Sequence, residues 1–357
     1  GTLLGTAPIN GVTPPFPGQP VQGFSAVLRD FAPGSYLFMP DNGYGAKENS
    51  ADFLLRLYRI RPDFETRGGG SGTVQVGSFI SLRDPDHLVP WPIVNESTAD
   101  RLLTGADFDI ESVRRGEAGD LWFGDEFGPF LIHADATGKV IDQPVALPGV
   151  RSPQSPYLNG TTPNLPRSRG FEGMASSPGG RWLYPMLEGA LTTDPDQTLR
   201  RIYRFDARTR RYTGTQWQYR MASAAYSIGD LTALDDHRLL VIERDPPNGP
   251  AATFKKVFLI DLDEVGADGT LVKHEVIDLL DLADPAGVSL PARPGDFGIG
   301  DPFKMPFDTI ESILPIGHGQ VVIANDNNFP FSAGRNPNRP DDEEIIVVKV
   351  PGLDGWR

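Results

Sequence analysis

One short pattern recurs along the chain, and it restricts the possible folds more than any other feature of the sequence. A polar or acidic residue is followed by a small residue and then an apolar one, within a strand-like apolar segment. A unit that recurs every few tens of residues is typical of repeat folds, in which each copy packs against the next. The copies are Phe24-Ser25-Ala26-Val27, Ile110-Glu111-Ser112-Val113, Phe171-Glu172-Gly173-Met174, Gly229-Asp230-Leu231-Thr232 and Ile310-Glu311-Ser312-Ile313.

Three further strand-like segments follow most copies, so that the recurring unit is a four-stranded antiparallel sheet. The second segment ends in acids or amides, and the third runs into an aspartate. Recurrence of such a sheet is the sequence signature of a β-propeller blade. We therefore predict an all-β propeller with five blades favoured and six possible. The predicted fourth strands are Thr73–Leu82, Lys139–Leu147, Arg211–Arg220 and Leu271–Leu279.

The intervals between the marked residues indicate where the blades carry insertions. Ser25, Glu111, Glu172, Asp230 and Glu311 are separated by 86, 61, 58 and 81 residues. The intervals near 60 residues fit a bare blade. The longer ones predict Pro-rich loops near 84–105 and 283–307, either of which could hold a sixth, degenerate blade.

The last copy lacks a fourth strand, because the chain ends soon after Val350. We predict that the N-terminal segment Thr2–Pro8 supplies this strand and closes the ring. Closure of this kind leaves no open sheet edge that would invite aggregation. Residues 1–357 are then a single propeller domain.

Composition excludes several classes of function. The chain has 47 acidic and 33 basic residues and a net charge of −14, whereas a general nucleic-acid binder needs a basic face. The absence of cysteine rules out thiolate catalysis and Cys-ligated metals. No apolar run approaches the roughly 20 residues that span a bilayer. We expect a monomer that binds a small molecule and no nucleic acid or organic cofactor.

The repeat geometry predicts where the acidic residues meet. The innermost strand of each propeller blade lines the central channel, so Glu111, Glu172, Asp230 and Glu311 should converge, with Ser25 in the fifth place. The ends of the second strands should lie at a rim of the same channel. Those ends carry Asp41, Asp125, Glu126, Glu188, Glu243 and Asp326.

Carboxylates gathered in one channel repel each other and raise each other's pKa unless a cation binds. An oxygen-rich ligand set favours Ca²⁺, with Mg²⁺ or Mn²⁺ as alternatives. A structural alternative stays open, in which each acid caps backbone N–H groups or pairs with an arginine. The predicted metal ligands are Glu111, Glu172, Asp230, Glu311, Asp125 and Asp326.

Five segments of the chain form a distinctive set. They are Asp109-Ile110-Glu111-Ser112-Val113, Leu121-Trp122-Phe123-Gly124-Asp125-Glu126-Phe127-Gly128-Pro129-Phe130, Arg169-Gly170-Phe171-Glu172-Gly173-Met174-Ala175, Thr309-Ile310-Glu311-Ser312-Ile313-Leu314 and Ala324-Asn325-Asp326-Asn327-Asn328-Phe329-Pro330. Together they resemble the phytase-like family, usually labelled "esterase-like activity of phytase", and the resemblance extends from about Gly23 to Val350. It implies a secreted or periplasmic bacterial propeller, with its signal peptide removed, that hydrolyses esters or phosphoesters.

Two hypotheses follow from the channel and the resemblance. The first is a Ca²⁺-dependent hydrolase, with Glu126, Glu188 or Glu243 as general base and with Arg244 and Arg335 holding the substrate anion. A Ca²⁺-dependent lactonase is its close variant. The second is a non-catalytic binding propeller whose axial Ca²⁺ is structural, since propellers host both kinds of function.

Overall fold

The computed structural model describes residues 1–9, 18–353 and 355, and it forms five antiparallel sheets around a central channel. The predicted all-β propeller with five blades is confirmed, and the described residues form no sixth blade. The one helical element among the described residues is a short 3₁₀ turn at Gly249–Ala251.

The strands are numbered along the chain. The first two blades contain β2 (Phe24–Arg29), β3 (Tyr36–Pro40), β4 (Arg56–Asp63) and β6 (Thr73–Ser81), then β7 (Ile110–Arg115), β8 (Leu121–Asp125), β9 (Phe130–Ala134) and β10 (Val145–Ala146). The next two contain β11 (Phe171–Ser176), β12 (Trp182–Leu187), β13 (Leu199–Asp206) and β14 (Arg211–Arg220), then β15 (Ser227–Ala233), β16 (Arg238–Arg244), β17 (Lys255–Val265) and β18 (Leu271–Asp278). The fifth contains β19 (Thr309–Gly317), β20 (Gln320–Asp326), β21 (Glu343–Lys349), β1 (Thr2–Ile9) and β5 (Glu65–Thr66).

The N-terminal strand closes the ring as predicted. β1 pairs antiparallel with β21, from Thr2 opposite Lys349 to Ile9 opposite Glu343. The short strand β5 then pairs with the other edge of β1. The first and last parts of the chain are therefore held in one sheet by backbone hydrogen bonds.

Apolar side chains fill the spaces between neighbouring blades. Five hydrophobic clusters are present, and each draws its residues from two adjacent sheets. Both faces of the sheets are thereby covered near the channel, which explains why strands such as β8 and β20 read as continuous apolar runs. The order of blades around the ring is set by this packing.

The innermost strands β2, β7, β11, β15 and β19 contact one another in a closed circle and line the channel. The segments 84–105 and 283–307 are fully described and contain no strand of their own. The fourth strand of the second blade is shorter than predicted, because only Val145 and Ala146 form a strand, while Val140 makes an isolated bridge to Ala134. Pro144 and Pro148 flank it and lack the N–H that a longer ladder needs. Within the described residues, no helix has the length and hydropathy to cross a bilayer.

Candidate active site

A β-bulge at the start of each innermost strand turns the marked residue out of the sheet ladder. The pairing register shifts on either side of Ser25, Glu111, Glu172 and Glu311. Bulges of this kind re-aim a side chain and end regular pairing. In four of the five blades the recurring sequence pattern therefore corresponds to a β-bulge. Each bulge presents a polar side chain at the same end of the channel.

A first carboxylate triad consists of Asp41, Asp109 and Glu111. One carboxylate oxygen from each lies within 4.8 Å of the others. Asp41 follows the end of β3, and Asp109 immediately precedes β7. No ion pair to these three carboxylates is formed by any Lys, Arg or His of the described residues. The Oδ1 atom of Asp109 is buried and has no hydrogen-bond partner there.

A second carboxylate triad consists of Glu126, Glu172 and Glu188, again with one oxygen of each within 4.8 Å of the others. All three side chains are buried. Two arginines neutralise part of this charge. Arg169 forms an ion pair with Glu188, and Arg244 lies 3.6 Å from Glu172. The second triad thus differs from the first, because protein cations already contact it.

Arg244 is a buried link between blades rather than an exposed anion clamp. Its Nη2 donates to Glu311 Oε1 at 2.6 Å, and its Nη1 donates to the carbonyl of Asp308. Glu311 also accepts a hydrogen bond from Ser25 Oγ at 3.3 Å. The carboxylates around Arg244 raise its pKa further above the ordinary arginine value, so it stays charged within the cluster.

Burial and mutual repulsion raise the pKa of the clustered acids. Desolvation raises the pKa of Asp41 to about 8 and that of Asp109 to about 7, and neighbouring carboxylates contribute to both shifts. Burial likewise raises the pKa of Glu311 to about 8, although Arg244 opposes the shift. The pKa values of Glu111, Glu126 and Glu172 are raised well above the ordinary value for the same reason. At neutral pH such acids must hold protons or bind a cation.

Asp125 and Asp326 lie at the rim of this cluster. Asp125 accepts hydrogen bonds from the backbone N–H groups of Asp109 and Gly128, so it fixes the turn that precedes β7. Asp326 accepts from the N–H of Asn328 at 2.7 Å and adjoins Asp41. Burial raises the pKa of each to about 7. Their predicted role as metal ligands stays a prediction.

The fourth blade breaks the repeat, and its aspartate does not join the triads. The position that matches the glutamates of the other blades is Gly229, where a Cβ atom would lie 1.9 Å from the carbonyl oxygen of Ile310. Asp230, one residue further, accepts from Arg114 Nη2 at 2.8 Å and from the N–H of Ile313. Among the predicted ligands, Asp230 is therefore engaged in a buried ion pair.

Glu243 is also occupied elsewhere. It accepts hydrogen bonds from the Tyr219 hydroxyl at 2.7 Å, from the N–H of Ala222 at 2.6 Å and from Lys273 Nζ at 2.6 Å. These partners lie in the outer strands of the third and fourth blades and the loop between them. Because these three contacts occupy its carboxylate, Glu243 is not available as the general base, and we assign it a structural role.

Arg335 is buried in the fifth blade and holds the loop before β21. It forms two hydrogen bonds with Glu344, at 2.7 Å each, and donates to the carbonyl of Lys304. Its guanidinium also lies over the rings of Phe303 and Phe307. The predicted contact with a substrate anion would require this arginine to leave a fully satisfied site.

We therefore expect the Arg335→Met variant to lose stability. Removing one partner of a buried ion pair leaves the other charge uncompensated and costs about 3 kcal/mol of unfolding free energy. Denaturant unfolding of the two proteins measures the loss. The double variant Arg335→Met with Glu344→Leu should recover part of it, because no buried charge remains. A single variant as stable as the parent would contradict this assignment.

Sequence reasoning placed Asp41 at the rim but did not identify it or Asp109 as members of a triad. A signal for Asp109 was present, because it lies two residues before Glu111 and shares its face of an extended segment. Arg169 belongs to one of the segments that carry the family resemblance, but no sequence pattern assigns it a partner. Its contact with Glu188 depends on the close approach of Gly189 to Arg169, which no local pattern reveals.

Two cavities open beside the triads. One of about 240 Å³ is lined by Glu188, Arg169 and Arg200, among others. The other, of about 330 Å³, is lined by Asp41, Asp326 and several aromatic residues. The acidic end of the channel is therefore accessible from two sides of different character.

Comparisons with known proteins identify one matching family model and several similar solved structures. The family model described as "Phytase-like: Esterase-like activity of phytase" matches residues 19–329. No curated protein matches the chain. The solved structures similar to it include a luciferin-regenerating enzyme (11% identity, TM-score 0.42, covering 92% of this chain and 78% of that one). They also include a protein from Lactobacillus plantarum (12% identity, TM-score 0.37, 91% and 72%). A GH43 β-1,3-galactosidase is a third (8% identity, TM-score 0.48, 91% and 56%).

Proposed function

The chain belongs to the phytase-like family, and on that premise we propose that it is a calcium-dependent hydrolase of ester bonds. The observation that carries the proposal is the pair of adjacent carboxylate triads, one without a protein cation and one beside an arginine-lined cavity. The first carboxylate triad suits binding of a metal ion, and the second suits proton transfer. Esters or phosphoesters of small molecules are the proposed substrates.

The first triad fits a hard divalent cation. Asp41, Asp109 and Glu111 offer only oxygen ligands, and the buried Oδ1 of Asp109 lacks a partner among the described residues. Calcium accepts six to eight such oxygens at flexible geometry, and Mg²⁺ or Mn²⁺ could also use them. When bound, the ion would supply positive charge that polarises an ester oxygen and acidifies water. Glu311 and Asp326 lie near enough to add to the negative field that favours it.

The second triad is suited to general acid–base catalysis. Burial and the neighbouring carboxylate of Glu188 raise the pKa of Glu126 well above the ordinary value, so we assign it the role of proton donor. Glu188 instead carries the ion pair with Arg169 and lines the smaller cavity, and we assign it the role of proton acceptor. Neighbouring carboxyl groups in different surroundings commonly serve as the acid and the base of a hydrolytic site.

Glu188 and Glu126 carry all the protons that the proposed hydrolysis transfers. Glu188 takes a proton from water while the water oxygen bonds to the ester carbon or phosphorus. The bond to the alcohol oxygen breaks, and that oxygen receives the proton held by Glu126. Transfer of the proton from Glu188 to Glu126 restores the starting state, since both belong to one triad.

Arg169 takes the role that sequence reasoning gave to Arg244 and Arg335. Its side chain is 45% exposed and lines the smaller cavity, whereas Arg244 and Arg335 are buried. Arg200 lines the same cavity, and its Nε has no hydrogen-bond partner among the described residues. Two guanidinium groups at this place can hold an anionic oxygen of the substrate or product.

The proposal is tested by hydrolysis of a small panel of substrates with Ca²⁺ and with EDTA. The panel comprises p-nitrophenyl phosphate, bis-p-nitrophenyl phosphate, phytate, p-nitrophenyl acetate and a simple lactone. We expect calcium-dependent turnover of at least one substrate, lost in EDTA while the circular dichroism spectrum persists. We also expect Glu172→Gln to lose it. No turnover on any substrate, with calcium still bound, would instead support a binding propeller with a structural ion.

A further inference from the structure

We propose that the larger cavity beside Asp41 and Asp326 holds an uncharged, apolar aryl or alkyl part of the substrate. This inference rests on the proposed ester hydrolysis and specifies the substrate class. The cavity has a volume of about 330 Å³, which suits a group of roughly the size of a phenylalkyl chain. Asp41, one of its lining residues, also belongs to the first triad.

Exposed aromatic residues form one wall of the cavity. The side chain of Phe331 is 86% exposed and that of Tyr44 is 37% exposed, and Phe329 and Pro330 lie beside them. Large apolar side chains left in water at the mouth of a pocket mark a binding surface. The location of Phe331 and Tyr44 next to the acidic channel links this surface to the reaction proposed there.

The part of the wall that contains Tyr44 is held in place by packing against the buried Phe53. The Tyr44 ring contacts the edge of Phe53 at a centroid distance of 5.4 Å, and Phe53 is buried. Gly43 lies directly over the Phe53 ring at a φ of 94°, and a Cβ atom there would come within 2.2 Å of that ring. Only glycine permits this close approach. The aromatic wall is therefore preformed rather than assembled by the ligand.

The floor of the cavity offers hydrogen-bond acceptors. Two buried amide oxygens, Gln22 Oε1 and Asn327 Oδ1, have no partner among the described residues. The Nδ2 of Asn327 donates to the carbonyl of Asp341, which directs its oxygen away from that contact. Asp41 and Asp326 add carboxylate oxygens. These unpaired oxygens suit a hydrogen-bond donor on the ligand, such as a hydroxyl.

No Lys or Arg lines this cavity within the described residues. Apart from a calcium ion held by Asp41, the cavity therefore offers, in the described part of the chain, no positive charge to offset the desolvation of several phosphate groups. The arginines of the site lie on the other side, in the cavity of Glu188 and Arg169. The structure therefore favours an ester with an apolar group over a polyanionic substrate.

Direct binding tests this assignment independently of turnover. The probe is 4-phenyl-1-butanol, titrated by calorimetry into the calcium-loaded protein. We expect saturable binding, no saturable binding of 1-butanol, and no displacement of the probe by glycerol 2-phosphate. Equal affinity for the two alcohols, or displacement by the phosphoester, would overturn the inference.

The variant Phe331→Ala should weaken binding of the probe about tenfold, because it removes an aromatic contact of the cavity. The matched control is Phe31→Ala, since Phe31 is 81% exposed but stacks on Arg115 away from this cavity. We expect the control to bind like the parent. Tyr44→Ala provides a second measurement of the same wall. Unchanged binding in both Phe331→Ala and Tyr44→Ala would overturn the inference.

A turnover experiment separates failure of this inference from failure of the proposed function. In a pH-stat, kcat/KM for 4-phenylbutyl acetate should exceed that for ethyl acetate about tenfold, and Phe331→Ala should abolish most of the difference. Equal kcat/KM for the two esters in the parent protein would overturn the inference while leaving hydrolysis intact. Hydrolysis of neither ester, together with probe binding that depends on Phe331, would support the cavity and contradict the reaction proposed for it.

Discussion

Replacing Glu126 with glutamine should lower kcat by about a thousandfold while the protein stays folded. The variant keeps the shape of the side chain but cannot deliver a proton to the leaving oxygen. General acid–base catalysis of this kind contributes about 10²–10⁴-fold. Steady-state kinetics on the best substrate of the panel measures the loss. It should be smallest for esters with good leaving groups, such as p-nitrophenyl acetate, because these need least help from an acid.

The matched control is Glu243→Gln, the same change at another buried glutamate. Glu243 contacts Tyr219, Ala222 and Lys273 rather than the triads. We expect its kcat to stay within about twofold of the parent, and its melting temperature to fall because the buried contact with Lys273 loses its charge. A Glu243→Gln variant that loses turnover as severely as Glu126→Gln would contradict the structural role of Glu243 and restore it as a candidate general base.

The ring of blades could be predicted from the sequence because its physical cause is local and repeated. Each copy of the pattern places a bulge after an apolar residue such as Ile110 or Ile310, and the bulge leaves the next side chain free to point into the channel. The spacing of the copies favours five blades but leaves a sixth possible in the two long intervals, and the folded structure decides between these alternatives. Closure by Thr2–Ile9 follows from the missing fourth strand of the last blade.

The exact membership of the site could not be predicted, because it depends on contacts between blades. At the fourth copy the sequence shows Gly229-Asp230, and only the approach of the Ile310 carbonyl explains why glycine holds the equivalent place. Asp230 instead meets Arg114 from another blade. Arg335 was predicted to hold a substrate anion, yet in the folded structure it is occupied by Glu344 and by the carbonyls of Phe297 and Lys304.

The two cavities beside the triads are lined by residues of different chemistry, which neither the fold nor the family requires. Arginines gather on the side of Glu188, whereas aromatic residues gather on the side of Asp41. A substrate that spans the channel would present its developing negative charge to Arg169 and its apolar part to Phe331. Asp109 of the first triad lies close to Glu188, which lines the arginine-rich cavity, and to Asp41, which lines the aromatic cavity. The first triad therefore lies between the two cavities.

In the absence of calcium, the stability of the folded protein should fall steeply as the pH rises from about 5 to about 8. In the unfolded chain these carboxyl groups lose their protons near pH 4. In the folded protein, burial keeps the pKa of Asp109 at about 7 and those of Asp41 and Glu311 at about 8. The folded state therefore binds more protons than the unfolded state across this range, and its free energy of unfolding decreases with pH. Below about pH 4 both states are protonated, so the contribution is constant.

Calcium should remove this dependence, because the ion replaces the protons that the first triad otherwise needs. We expect the calcium-induced gain in unfolding free energy to be small near pH 5 and to reach on the order of 5 kcal/mol near pH 8. Denaturant unfolding at a series of pH values, with calcium and with EDTA, measures both curves. Asp109→Asn should flatten the EDTA curve and weaken the calcium effect, whereas the exposed Asp236→Asn should change neither. A calcium effect of the same size at pH 5 and pH 8 would show that the ion binds away from these acids, and the metal site would have to be sought elsewhere on the propeller.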